Sequence, residues 1–473
     1  MSASSSFRTM WMSDVVALSV LLSGCTPRPS AALPTVALPP AWTPRSSPYP
    51  ALETAPLPTE SPVPSPTKTH VAVTAVMPTP IPISSTRDSA GMLAVCAQVH
   101  WDDPIHIFLV DTSGGPVMSL TGSSARDDCN YGYGLAWSPD GSRIAFESRP
   151  HNTQSNVTSL LTVNIDGTGL TDLSSALRVP PGHTTEYPMW SPDGSYLAFL
   201  SDENWMGGHT YLFVSSADGT SLRQLTSDPI HGYPVWSADG QSIYYVPDTG
   251  GDYALHSASL ENGVSSIVTE LAGDPWPIWS PDRSRIALTD YESGIDITDL
   301  RTQRTVRIDY PAPEPDEAGI EPMYRVLDWS PTGDRLSLIA YYSPGMVYLY
   351  VVEAEGGQLR RLAVTYHEGE LGGFAWSPTG RDIVFVAPRC DVAGCTQDIY
   401  LVQADGGSPY RLTNDGSISS LPSWSPDGRR LAFVSNLEDE GHDTLFVMEA
   451  AGSKPVEVLE AYNIWGVTWS PLK

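Results

Sequence analysis

The chain reads WSPDGSRIAF at residues 137–146 and WSPDGSYLAF at residues 190–199. The Ser-Pro-Asp-Gly part matches the position preferences of a tight type I turn. Ser is favoured at the first position, Pro fixes φ at the second, Asp bonds to its own backbone at the third, and Gly tolerates a left-handed conformation at the fourth. Apolar runs rich in β-branched and aromatic residues flank the turn. The stretch therefore predicts a strand ending in Trp, a tight turn and a second strand.

This phrase is an internal repeat. A Trp-Ser pair, followed by Pro or once by Ala238, occurs at Trp137, Trp190, Trp236, Trp279, Trp329, Trp376, Trp424 and Trp469. The steps between these Trp residues are 53, 46, 43, 50, 47, 48 and 45 residues. A period in the forties, with about four short strands per unit, is typical of a β-propeller and not of a helical solenoid. Each unit is expected to form one four-stranded blade.

The two ends of the repeat region complement each other. Before Trp137 the chain contains MLAVCAQ, IHIFLVD and PVMSLT, which match the second, third and fourth strands of a blade, and it ends on a lone first strand, WGVTWSPLK. We expect this last strand to pair with the N-terminal blade, which would leave no open edge. The predicted fold is all-β, an eight-bladed β-propeller of four-stranded blades over residues 89–473. A seven-bladed ring with one aberrant unit is the alternative.

The repeat resembles a known family. YPMWSPDGSYLAFLS at 187–201 and LPSWSPDGRRLAFVS at 421–435 are similar to the TolB-like β-propeller repeat, in which Pro stands two residues before WSPDG and an IAF-type strand follows. The resemblance covers residues 92–473. Departures concern single turns: Arg283 stands where Gly is expected, Thr332 and Thr379 replace Asp, and Ala238 replaces Pro. The repeat differs from the WD repeat and the sialidase Asp-box in where its Trp stands.

The N-terminal sequence predicts export. The apolar run from Val15 to Leu22 is too short to span a bilayer and fits the core of a signal peptide. It continues into Leu22-Ser23-Gly24-Cys25, which resembles a bacterial lipobox. The resemblance implies that residues 1–24 are removed and that Cys25 is lipidated. We therefore expect an extracytoplasmic protein, lipid-anchored to a bacterial membrane, with ordinary cleaved secretion as the alternative.

A linker is expected over residues 25–88. Residues 26–88 contain 16 prolines interleaved with Thr, Ser and Ala. This composition cannot bury a core and favours an extended, polyproline-like chain. The segment is interpreted as a stalk between the lipid and the propeller, with Pro-rich ligand motifs as a second use.

Four cysteines remain besides Cys25, and disulfides are allowed outside the cytoplasm. Cys390 and Cys395 lie in one loop between the second and third strands and could staple it. Cys96 and Cys129 belong to the same face of the ring, so that their pairing is geometrically feasible. A zinc site is the alternative, but no further C-x-x-C and no suitably spaced His pair accompanies these residues.

The charge of the chain limits its partners. It has 26 Lys and Arg against 54 Asp and Glu, a net charge of −28 at pH 7, and all of the acidic excess lies after residue 88. Nucleic acid is therefore not expected as a partner. Beyond the lipid anchor, no contact with the membrane is expected, and the protein, peptide or glycan ligand is left open.

Acidic and aromatic residues recur in the loops opposite the Ser-Pro-Asp-Gly turns, and this loop face is the predicted ligand-binding surface. Its candidate residues are Trp101, Asp102, Asp202, Trp205, Asp290, Tyr291, Tyr341, Tyr342, Glu438, Asp439, Glu440 and Asp443. Crowded carboxylates in residues 309–324 and 436–443 also predict weak calcium binding or attraction of a basic partner there, and no other cofactor is expected. A solvated acidic surface that keeps the protein soluble is the alternative.

The sequence favours a binding or scaffold module and not an enzyme. No G-x-S-x-G motif is present, and the chain ends four residues after Trp469, so no α/β-hydrolase domain is expected. The alternative is a polysaccharide lyase or glycosidase with its site on the loop face. Its side chains would come from His151, Asp202, His209, His231, Asp290 or His442. A cluster of His, Arg and carboxylate on that face would favour the enzyme.

Overall fold

The computed structural model describes residues 91–471 with short gaps, and what it describes is almost entirely β-structure. The gaps are 114, 123–125, 130–133, 152–156, 177–183, 203–208, 251–252, 272–275, 291–293, 312–321, 343–345, 367–372, 392–393, 415–416 and 437–441. One short helix, α1 (Leu173–Ala176), lies among the strands in the described ranges. No helix there is long and apolar enough to cross a membrane. The predicted signal peptide, Cys25 and the linker lie outside the described residues.

Antiparallel pairing groups the described strands into meanders of mostly four strands, which we number as units 1–8. A single parallel bridge, Gln397 opposite Ile418, joins units 7 and 8 into one sheet. Unit 1 contains β1 (Met92–Gln98), β2 (His106–Asp111) and β3 (Met118–Ser119); unit 2 contains β4 (Arg126–Asp128), β5 (Leu135–Trp137), β6 (Arg143–Pro150), β7 (Ser159–Asn164) and β8 (Thr171–Asp172). Unit 3 contains β9 (Thr184–Trp190), β10 (Tyr196–Asp202), β11 (Thr210–Ser216) and β12 (Leu222–Gln224); unit 4 contains β13 (Ile230–Trp236), β14 (Ser242–Pro247), β15 (Ala254–Ser259) and β16 (Ser265–Glu270). In unit 2 both β4 and β5 pair with β6.

The second half repeats this plan. Unit 5 contains β17 (Ile278–Trp279), β18 (Arg285–Asp290), β19 (Gly294–Asp299) and β20 (Thr305–Asp309); unit 6 contains β21 (Met323–Trp329), β22 (Arg335–Tyr342), β23 (Met346–Glu353) and β24 (Arg360–Tyr366). Unit 7 contains β25 (Phe374–Trp376), β26 (Asp382–Asp391), β27 (Gly394–Gln403) and β28 (Tyr410–Arg411); unit 8 contains β29 (Ile418–Trp424), β30 (Arg430–Asn436), β31 (Asp443–Glu449) and β32 (Val456–Ala461).

The last strand, β33 (Asn463–Trp469), completes unit 1. It pairs antiparallel with β1, with Leu93 opposite Trp469 and Val95 opposite Val467. The predicted pairing of the C-terminal strand with the N-terminal blade is therefore confirmed. It covers an edge of β1 that would otherwise present unpaired backbone groups.

The hydrophobic core lies between successive units. Phe199 of unit 3, for example, packs with Ala145 and Leu160 of unit 2. A further cluster joins the two ends of the chain, because Leu93 and Val95 of unit 1 pack with Val434 of unit 8. Each sheet thus buries both of its faces against its neighbours, as the blades of a propeller do.

The turns after the repeat Trp residues have the predicted chemistry. In the turn of unit 3, Gly194 N–H donates to the carbonyl of Ser191 at 2.9 Å, and the Ser191 hydroxyl donates to Asp193 at 2.6 Å. Gly194 has φ +73°, which explains the Gly at the fourth position. Arg283 takes the same left-handed conformation, with φ +60°, so this departure leaves the turn itself intact.

Candidate functional site

The loop face lies at the ends of the strands opposite the Ser-Pro-Asp-Gly turns. In units 1 and 2 it carries a group of ionisable side chains that we call the acid–base cluster: His106, Asp127, Asp128, Arg149 and His151. Strand pairing places these side chains in two neighbouring groups, one at Asp127, which is opposite Arg149, and one at Asp128, which is opposite Ser148 in the β4–β6 ladder.

His151 and Asp127 form the tightest pair of the cluster. His151 Nδ1 lies 2.6 Å from Asp127 Oδ1, and Arg149 Nε lies 3.5 Å from Asp127 Oδ2. Because a carboxylate can only accept, Nδ1 must carry the proton, which leaves Nε2 of neutral His151 as a proton acceptor. That Nε2 is buried without a hydrogen-bond partner in the described part of the chain. The pair has the arrangement of a general base oriented by a carboxylate.

A second His–Asp pair lies beside the first. Asp128 is 1% exposed, and its Oδ2 lies 3.7 Å from His106 Nδ1. Its Oδ1 accepts a 2.6 Å hydrogen bond from Ser148 Oγ. Arg126 in turn donates to Ser148 Oγ from Nε at 2.8 Å. The hydrogen bond from Ser148 and the nearby Arg126 partly offset the burial of the Asp128 carboxylate, whose Oδ2 has no hydrogen-bond partner among the described residues.

A disulfide holds the strand that carries the two aspartates. Cys129 follows Asp128 directly, has φ +61°, and is bonded to Cys96 of β1, with Cα atoms 6.2 Å apart. The backbone N–H of Asp128 also donates to the carbonyl of Ile105 at 2.8 Å. Units 1 and 2 are thus tied together at the cluster. For Cys390 and Cys395, the register places the two residues directly opposite each other in the β26–β27 hairpin. A disulfide there stays a prediction.

The described residues among those predicted for the ligand surface lie in several different units. Trp101 is 72% exposed and Asp102 is also exposed. Asp202 is half-buried and accepts a hydrogen bond from the Thr184 hydroxyl. Asp290 is exposed and lies 3.2 Å from Arg307.

Three further candidates belong to the scaffold. Tyr342 is only 4% exposed and packs edge-on against Tyr348, so its prediction as a ligand-binding ring is corrected. Tyr341 is half-buried against the core between units 6 and 7. Asp443 accepts a 2.8 Å hydrogen bond from the backbone of Ile464, and its burial raises its pKa. Outside the described residues lie Trp205, Tyr291, Glu438, Asp439 and Glu440.

Sequence reasoning named His151 but missed its partners. Asp127 and Asp128 lie in the run RDDC, and Arg149 lies in SRPH, two stretches that gave no motif. Only the strand register brings them together. Among the described residues no group of three or more His, Cys, Asp or Glu is arranged to hold a metal ion. The predicted calcium site stays a prediction.

Comparison with known proteins identifies the family. The model of the TolB beta propeller domain matches residues 129–296 and 326–471, more than half of the chain. The protein therefore belongs to the TolB β-propeller domain family.

Sequence relatives include two peptidases. Dipeptidyl-peptidase 5 of Porphyromonas gingivalis is 24% identical over 301 residues, which are 59% of this chain and 42% of the relative. The uncharacterized peptidase YuxL of Bacillus subtilis is 29% identical over 224 residues, which are 46% of this chain and 31% of the relative. The chain thus spans less than half the length of each. The crystal structure of P. gingivalis dipeptidyl peptidase 4 shares the fold, with a TM-score of 0.53, 13% identity, and coverage of 79% of this chain and 60% of that one.

These relatives correct one prediction. The expectation that the protein is not an enzyme is wrong, because both sequence relatives are named as peptidases. That expectation rested on the absence of catalytic sequence motifs, and the acid–base cluster contains no such motif.

Proposed function

We propose that the protein is an extracytoplasmic, polysaccharide-active enzyme, and specifically a lyase whose base is His151. The observation that carries this proposal is the 2.6 Å contact between His151 Nδ1 and Asp127, which leaves Nε2 buried without a hydrogen-bond partner among the described residues. Arg149 lies 3.5 Å from the other oxygen of the same Asp127 carboxylate. A base next to a cation is what proton abstraction beside a carboxylate requires. Uronic acid residues of glycans present such a proton.

In the proposed reaction Nε2 of His151 removes the C5 proton of a uronate. The electrons of that C–H bond form a C4–C5 double bond, and the bond from C4 to the glycosidic oxygen breaks. The departing oxygen keeps the electron pair and takes a proton from water. Arg149 stabilises the negative charge that builds up on the uronate carboxylate, and Asp127 stabilises the imidazolium that forms.

The carboxylates of the cluster favour elimination over glycoside hydrolysis. A glycosidase needs two carboxyl groups that flank one glycosidic bond. Asp127 and Asp128 are consecutive strand residues, whose side chains leave opposite faces. Asp127 is bonded to His151 and to the backbone N–H of Ile105, and Asp128 to Ser148. Both carboxylates orient their neighbours, which suits a His-based lyase.

An extracytoplasmic location and lipid anchor are part of the proposal. The Cys96–Cys129 disulfide supports the location, since such bonds persist in oxidising compartments. The lipobox ending at Cys25 supports the anchor, and the Pro-rich residues 26–88 would serve as its stalk.

The test is an elimination assay with the full chain. Pectate, alginate and hyaluronate are supplied in turn, and the new double bond is followed by its ultraviolet absorbance. His151→Gln and Asp127→Asn should each lower the rate by about 100-fold or more. His100→Gln, an exposed His outside the cluster, is the matched control and should keep the parental rate. If no polymer gains absorbance, or if His151→Gln is as active as the parent, the lyase proposal fails.

Action on peptides is the second candidate, and the two relatives named as peptidases favour it. The variants His151→Gln and Asp127→Asn also test this second candidate. Peptide mixtures incubated with the full chain would be examined by mass spectrometry. Cleaved peptides, without unsaturated uronate products, would replace the lyase by a peptide-directed enzyme.

A further inference from the structure

Three aromatic residues occupy the same position in successive repeats. Tyr187, Tyr233 and Trp276 each stand three residues before a repeat Trp, at the first strands of units 3, 4 and 5. Tyr187 and Tyr233 stack with ring centroids 4.2 Å apart, and the centroid of Tyr233 lies 6.2 Å from that of Trp276. We call this set the aromatic row. It runs across the first strands of neighbouring units.

The aromatic row is confined to units 3, 4 and 5. The equivalent position is Gly134 in unit 2, Gly373 in unit 7 and Gly466 in unit 1. The repeat therefore does not require a ring there. Tyr233 is 54% exposed although it stacks on Tyr187, so a large apolar surface meets solvent.

The backbone is built to hold Trp276 in place. Gly232 has φ +74°, and a Cβ added there would lie 2.6 Å from Cζ3 of Trp276. The indole thus occupies the space that any other residue at 232 would fill. His231 supports the ring from a centroid distance of 4.7 Å. A large aromatic side chain held this firmly at a surface resembles the anchor residues of interfaces, which lose little conformational entropy on binding.

Two carboxylates of unit 3, the unit that contains Tyr187, have no cationic partner among the described residues. Glu186 directly precedes Tyr187, and its pKa is raised by burial and by the nearby charge of Asp202. No Lys or Arg pairs with either carboxylate in the ranges that the structure describes. Residues 184–282 contain 13 Asp and Glu, no Lys, and a single Arg, Arg223. That Arg donates to the carbonyl of Leu260, at the turns on the opposite face.

We infer that the aromatic row is a docking site for a peptide segment carrying Lys or Arg side chains. The rings attract a cation by their negative faces, more strongly where the contact is shielded from water. Glu186 and Asp202 supply the complementary charge, and the acidic surface of units 3 and 4 raises the encounter rate. This site is separate from the acid–base cluster and does not depend on the lyase proposal.

The test measures binding of a labelled, unstructured Lys/Arg peptide to the full chain by fluorescence anisotropy at low salt. A peptide of the same length with Gln in place of each basic residue is the ligand control. We expect Tyr233→Ala and Trp276→Ala to weaken binding of the basic peptide at least tenfold. Glu186→Gln should weaken it less and flatten its salt dependence. His151→Gln should bind like the parent, which separates this test from the lyase assay.

Tyr196→Ala is the matched control variant. Tyr196 is 40% exposed but begins β10, next to the turn of unit 3 on the opposite face. Melting curves establish that each variant is folded. Gly232→Ala gives a second route to the row, because it displaces Trp276 without removing a ring. The proposal is overturned if the Gln peptide binds equally well, if Tyr196→Ala loses as much affinity as Tyr233→Ala, or if no basic peptide binds at low salt.

Discussion

Nε1 of Trp469 donates a 3.2 Å hydrogen bond to the backbone carbonyl of Ser423. Trp469 belongs to β33 and Ser423 to β29, so the last strand of the chain is tied to the unit that precedes it. The same bond recurs between other neighbouring units, for example from Trp190 to Ala136 at 3.1 Å and from Trp236 to Met189 at 3.1 Å. In each case the acceptor residue directly precedes the Trp of the preceding unit. The repeat Trp is thus both a packing residue and a donor that sets the spacing of units.

Deletion of residues 465–473 should destabilise the whole propeller. It removes most of β33, exposes the edge of β1 and removes the Trp469 side chain from the core between units 1 and 8. Trp469→Phe keeps an aromatic ring and loses the bond to Ser423, so it should cost only about 1 kcal/mol. Thermal and urea unfolding would check both variants. A truncated chain that melts within a degree or two of the parent would refute the role of β33 in closure.

The turn aspartates should make stability fall at acid pH. The pKa of Asp193 is lowered by its hydrogen bond from Ser191, and that of Asp427 by its hydrogen bond from Ser425. A carboxyl whose pKa is lower in the folded state contributes stability that is present above its unfolded value, near 3.9, and is lost as pH falls through its folded value. The Asp193→Asn and Asp427→Asn double variant should therefore lose less stability than the parent between about pH 4 and pH 2. Urea unfolding across this range, with Asp102→Asn as an exposed control, measures the difference.

The N-terminal prediction is tested by fractionation. Cys25→Ser removes the thiol that the lipobox would present for lipidation. We expect the parent in the membrane fraction and the variant in the soluble fraction after cell lysis, because a lipid chain adds binding energy for each buried CH₂ group. Identical fractionation of the two would eliminate the lipid anchor.

The repeat made the fold predictable, whereas the acid–base cluster depends on register. The phrase around Trp190 contains its own turn chemistry, and eight copies fix the period. His151 and Asp127 are 24 residues apart and meet only because β4 pairs with the end of β6. The left-handed conformation of Cys129, next to Asp128, has no signature in the sequence, because this residue is not Gly. The aromatic row could have been found by aligning the repeats at their Trp residues.

Loss of the Cys96–Cys129 disulfide should lower stability and activity together. The bond closes a loop with a sequence separation of 33 residues, which is worth about 3–4 kcal/mol in the chain-entropy model. It also fixes the residue next to Asp128, so that Cys96→Ala with Cys129→Ala should loosen both His–Asp pairs. Urea unfolding gives the stability, and the elimination assay at a temperature where the variant is folded gives the activity. Parental activity in the folded double variant would mean that the disulfide does not position the cluster.

Glu186→Gln should stabilise the protein at neutral pH. Burial and the charge of Asp202 raise the pKa of Glu186, so ionisation of this carboxyl is less favourable in the folded state than in the unfolded chain. The folded state is therefore favoured below the unfolded value, near 4.3, and loses that advantage as pH rises through the higher folded value. Gln has a similar shape and no charge, which removes the penalty at pH 7 and flattens the pH dependence of stability above pH 4. Urea unfolding at a series of pH values from 4 to 8 measures both effects, with Glu270→Gln on the exposed fourth strand of unit 4 as control.

A variant that gains stability while losing affinity for the basic peptide would mean that Glu186 is retained for binding at the expense of the fold. If Glu186→Gln is instead less stable than the parent at pH 7, the carboxylate is compensated in the folded state and cannot be the unsatisfied charge that recruits a cation.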